Sequence, residues 1–210
     1  IDVRLVGSEM CIRDSNTPAA VKFDAQGVLH VLDTGAGLLF KVVDGENVQV
    51  AELSPGLDNF SIDADGRYFV SSFTDGFVKR INLDGSITEL QPGGMAHAGG
   101  LAFHNGVVVA ADLHAIRAYE PSGAAAYVQR NVLGTGVMGG ALNVSADGDN
   151  LVLVSWVDND VRIWDPVYKQ RIWQKAGLAA PVAAVRFGSD IVVAEHGRQS
   201  VVGYDANGDE

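Results

Sequence analysis

The chain has 210 residues, 47% of them hydrophobic and 20% charged, with a formal net charge of −11. That apolar share is enough to bury a sizeable core and excludes a disordered chain, while the acidic balance argues against nucleic acid or an anionic membrane as partner. The lone cysteine, Cys11, excludes an intrachain disulfide, and no apolar run reaches the roughly 18 residues of a membrane-spanning helix.

Residues 1–15 stand apart. Their tail, Gly7-Ser8-Glu9-Met10-Cys11-Ile12-Arg13-Asp14-Ser15, looks like translated sequencing adapter of the kind found at the ends of reading frames from assembled metagenomes. The native chain is therefore expected to begin at 16 with its true N-terminus missing, and Met10 and Cys11 to carry no biology. The remainder holds one pattern five times over, at residues 20–45, 59–85, 100–123, 141–166 and 183–208. Each copy runs from an apolar strand through a glycine turn into a strongly apolar strand, then a polar loop and a third strand.

The first-turn glycines are Gly27, Gly66, Gly106, Gly148 and Gly188, spaced 39, 40, 42 and 40 residues apart. A second turn recurs at Asp44-Gly45, Asp84-Gly85, Ser122-Gly123 and Asn207-Gly208, dipeptides suited to tight hairpins because both residues tolerate positive φ. A short fourth strand follows, and helix signals are absent. The second strands, at 28–32, 68–70, 107–111, 151–154 and 191–194, are almost wholly apolar. Such runs mean burial on both faces. A two-layer sandwich would instead alternate in most strands. The expected fold is an all-β propeller of four-stranded blades, five of them present, forming one domain over 16–210. The blades are expected at about 16–53, 54–92, 93–134, 135–177 and 178–210.

The second copy, from Asp58-Asn59-Phe60 to Asp75-Gly76, resembles the propellers of the SMP-30/gluconolactonase and NHL-repeat superfamily. So does the Glu195-His196-Gly197 stretch of the fifth. The resemblance implies a six-bladed ring, and hence at least one blade beyond these five. It also implies, for the lactonases of the group, a divalent metal held by Glu, Asn and Asp where the inner strands enter the central channel; hard cations require such oxygen ligands.

Counting back from the last apolar residue of each inner strand places Ala19, Asp58, Gly99, Gly140 and Ala183 at that entrance. Ala20, Asn59, Gly100, Ala141 and Ala184 follow. Only Asp58 and Asn59 are polar, so they are the metal-ligand and ligand-binding candidates. Calcium or zinc would be the ion if the chain is a hydrolase. The loops after the second strands supply further candidates: Asp75, His114, Trp156 and Arg198 for ligand binding. Glu195, His196 and, just before the third inner strand, His97 are candidates for acid–base catalysis. The glycine-rich run Gly134–Gly140 does not lie between a strand and a helix, so it is no phosphate loop. The expected function is a scaffold that binds a small molecule or a protein on its channel-mouth face. The alternative is a metal-dependent lactonase or esterase-type hydrolase acting through metal-activated water.

Overall fold

Short antiparallel hairpins, most of them turned by a Gly, Asn or Asp at positive φ, build the described part of the chain. The computed structural model describes residues 15–113, 115–123, 125–130 and 140–210, with 125–130 as backbone alone. Five sheets follow one another in chain order. Blade 1 is β1 Pro18–Phe23, β2 Leu29–Asp33, β3 Leu38–Val43 and β4 Glu46–Glu52. Blade 2 is β5 Leu57–Ile62, β6 Tyr68–Ser72, β7 Val78–Ile81 and β8 Ile87–Gln91. Blade 3 is β9 Ala98–His104, β10 Val107–Asp112, β11 Ala115–Tyr119 and β12 Ala125–Arg130. Blade 4 is β13 Asn143–Asp147, β14 Asn150–Ser155, β15 Asp160–Asp165 and β16 Gln170–Ala176. Blade 5 is β17 Pro181–Phe187, β18 Asp190–Glu195 and β19 Ser200–Tyr204, with a single helical turn at His196–Arg198. This is a five-bladed β-propeller arrangement, with β1, β5, β9, β13 and β17 lining the central channel.

The blades pack face to face through four apolar clusters. Leu32 and Leu39 meet Phe60 and Ile81 between blades 1 and 2, and Phe69 and Val78 meet Leu101 and Val108 between blades 2 and 3. Val109 and Ile116 meet Val144 and Leu153 between blades 3 and 4, and Val152 and Val161 meet Ile191 and Val193 between blades 4 and 5. The second strands of blades 1 to 4 are buried from both sides, as their unbroken apolar runs require, whereas in β18 buried residues alternate with half-buried ones. Blades 3 and 4 approach closely because Gly99 and Gly100 have no side chain. A Cβ on Gly100 would meet Asn143 Oδ1 at 2.2 Å, and one on Gly99 would meet the Leu142 carbonyl at 2.2 Å.

The last residue of each second strand is buried and polar: Asp33, Ser72, Asp112, Ser155 and Glu195. The three carboxylates among these staple the entry to their own blade's inner strand. Asp33 accepts from the Thr17 and Asn16 amides, Asp112 from Ala96 and His97, and Glu195 from Ala179. Ser72 and Ser155 accept the amides of Asp75 and Asp158 three residues on, which closes the following turn, and Ser72 also donates its hydroxyl to the Gly56 carbonyl just before β5.

The stacking does not continue from blade 5 to blade 1 as it does between successive blades. Val161 on blade 4 is wholly buried, whereas its equivalent on blade 5, Val201, is 71% exposed, and Phe187 nearby is 75% exposed. Val21 and Phe23 are likewise exposed on the opposing flank of blade 1.

Candidate functional site

Inner strands enter the channel through irregular pairing. In β1, β5 and β17 the register with the second strand skips one residue, so Ala19, Asp58 and Val182 each bulge at the channel mouth. A bulge re-aims the side chain it carries. These three join Gly99, Leu142, Asn59 and Asn143 around a cavity of about 230 Å³, walled by Phe73 and Trp156. Phe73 and Trp156 occupy equivalent positions, each directly after the buried serine that ends its second strand, and they are 46% and 53% exposed. Burial pushes the Asp58 carboxyl up to about 6, since a charge is costly where water is scarce. The cavity continues inward into a larger channel of about 550 Å³, with which it shares Ala19, Asn59 and Asn143.

The structure thus brings together Asp58, Asn59 and Trp156 of the residues singled out from sequence. His97 lies one layer back, its ring stacked on Phe73 with centroids 4.7 Å apart. Asp75 is exposed, and its amide donates to Ser72 Oγ. Glu195 and His196 do not form a pair. Glu195 is 2% exposed, with its carboxylate taken by the Ala179 amide and by the Tyr204 hydroxyl at 2.6 Å each. His196 points its backbone N–H to the Ala180 carbonyl and lines a separate, shallow cavity with Val182 and Val201 on the exposed flank of blade 5. Arg198 is exposed and ion-paired with Glu210 at 2.5 Å. His114 lies outside the described residues.

Asn143 is the mouth residue that sequence counting missed. The Asp63 carboxylate accepts the amides of Asp65 and Arg67 and shapes a five-residue turn that Ile62 and Tyr68 close. Asp24 does the same in blade 1 through the Gln26 and Val28 amides. Blade 4 has Ser145 where the Ser-Ala-Asp-Gly run matches that Asp-Ala-Asp-Gly, and a hydroxyl does not organise the turn. The strand runs on instead to a two-residue turn closed by Asp147 and Asn150. Counting back from Val144 as the last apolar residue of the inner strand therefore misplaces the blade, since β13 runs on to Asp147. Leu142 and Asn143, not Gly140 and Ala141, stand at the mouth, and in blade 5 Val182 and Ala183 replace Ala183 and Ala184. The signal was present in the sequence: blade 4 lacks the turn-shaping aspartate.

The donor set does not suit a divalent cation. Asn59 Oδ1 accepts the Phe60 amide at 2.9 Å and Asn143 Oδ1 accepts the Val144 amide at 2.8 Å. Asn143 Nδ2 donates to the Val182 carbonyl. Among the described residues Asp58 alone offers a free carboxylate at the mouth, and no cluster of three His, Cys, Asp or Glu able to hold a metal occurs there or elsewhere among them. A hard cation requires several such oxygens at once.

No protein family and no curated protein matches the chain by sequence. Solved structures do match it in shape. Virginiamycin B lyase from Staphylococcus aureus superposes with a TM-score of 0.69 at 14% identity, over 90% of this chain and 69% of that one. A streptogramin B lyase gives 0.70 at 12% identity, over 91% and 69%. A chain of the nidogen/laminin complex gives 0.77 at 16% identity, over 90% and 76%. At these identities the likeness is one of fold alone: the chain is a β-propeller of the architecture shared by these lyases and nidogen.

Proposed function

We propose that this propeller binds a small molecule at the mouth of its channel, between the aromatic walls of Phe73 and Trp156 and against Asp58. One observation carries the reading: five inner strands converge on a cavity that gathers a carboxylate, two amides and two exposed rings at a single point. Concave, largely apolar sites with a few placed polar groups are where small ligands bind. The fold neighbours support it in kind, since lyases of this shape act on small molecules, while the nidogen/laminin neighbour supports a protein on such a surface as the competing occupant. The uncovered flanks of blades 1 and 5 support the further proposal that the intact ring has six blades.

The experiment is a thermal-shift screen of a metabolite library against the wild type and against Trp156→Ala with Phe73→Ala. Compounds that raise the melting temperature of the wild type but not of the double variant support the mouth as the site. A screen without such compounds overturns the reading.

A further inference from the structure

We infer that the channel beneath the mouth is a binding site for an organic carboxylate, with the Lys22 ammonium as its anchor. This rests on the reading that the mouth admits a small molecule, but it stands on different side chains.

Lys22, Ser61 and Ser145 occupy the same level of the channel in blades 1, 2 and 4, one step past the bulged entrance. At this level Ser145 donates its hydroxyl to the Ala184 carbonyl of the next blade at 2.7 Å. The repeat assigns the Leu101 carbonyl to Ser61 in the same way. Lys22 has taken that acceptor: its Nζ reaches past blade 2 and donates to Leu101 O at 2.6 Å. Ser61 Oγ is left buried with no hydrogen-bond partner, in a residue only 3% exposed that lines the channel.

Two unmet demands therefore face one cavity. An ammonium has three donors, and one carbonyl satisfies one of them. Among the described residues no acidic side chain lines the channel. Burial alone lowers the Lys22 pKa, to about 8, with no carboxylate acting on it. Among the described residues its other partner is the Phe60 ring, 5.7 Å from Nζ. A half-buried, desolvated ammonium with no counter-ion among the described residues and a buried hydroxyl without a partner are both costly, and a carboxylate entering from the mouth answers both at once. The Asn59 amide at the shared rim completes a polar lining. Asp58 sits three residues nearer the mouth than Ser61, roughly 10 Å at strand rise. The favoured occupant thus points its carboxylate inward and a neutral or cationic group outward.

Hexanoate and its uncharged analogue hexanamide test this. In protein with 13C-labelled lysine, saturating hexanoate should move the Lys22 side-chain resonance and raise its titration midpoint above about 8, and hexanamide should do neither. Lys22→Met should weaken hexanoate binding at least about tenfold, the loss of one charge-assisted hydrogen bond. A Lys22 resonance unmoved by hexanoate, or moved equally by hexanamide, refutes the carboxylate site. The mouth reading stands or falls separately on the library screen with the Trp156 and Phe73 variant.

Discussion

Asp58 is the one mouth position where sequence, geometry and electrostatics meet. Its carboxyl is raised from 3.8 to about 6 by burial. The native state therefore holds its proton to higher pH than the unfolded chain, and this group's contribution to stability falls as pH rises from about 3.8 to about 6 and is level above that. The full shift corresponds to at most about 3 kcal/mol. Asp58→Asn removes the dependence: urea unfolding of the variant should be flatter across that window than wild type. Lys22 acts in the opposite range. With its pKa lowered to about 8, stability gains as pH rises from about 8 towards the unfolded value. Asp58 and Asn59 were legible because a charged and an amide side chain interrupt counted inner-strand positions that are otherwise small or apolar, and Trp156 because it stands in the loop after a second strand. Lys22 was not, since a lysine in a strand reads as a solvated face until the topology turns that strand towards the axis.

The element scale explains what else the sequence concealed. Five apolar second strands between turn glycines announced the propeller. The glycines themselves, however, are not equivalent: Gly66 ends a turn shaped by Asp63, and Gly148 opens a two-residue turn. Glu195 shows a related limit. Next to a histidine and an arginine it reads as chemistry, yet it ends β18 where Asp33 and Asp112 end β2 and β10, and it carries out the same stapling. Glu195→Ala should strand the Ala179 amide and the Tyr204 hydroxyl, lowering stability by about 2–4 kcal/mol in chemical denaturation. Its effect on ligand binding at the mouth should be small.

For the molecule as a whole, the apolar flanks of blades 1 and 5 govern solution behaviour. Val201 and Phe187 present to solvent the surface that blade 4 hides beneath blade 5, and such patches drive self-association. Val201→Lys with Phe187→Lys should shift light scattering towards the monomer while leaving the melting temperature nearly unchanged, since neither residue is buried. Retained self-association in that variant would place the contact elsewhere.

Val21, Phe23 and Val185 belong to the exposed flanks and also to the channel wall. Seam and channel are therefore not independent surfaces. Whatever seats along the seam, a further blade or a second chain, borders the volume open to a ligand. By linkage, whatever factor one occupancy applies to the other's affinity is returned in equal measure, so a channel ligand whose affinity changes on closure would report on whether the ring is closed.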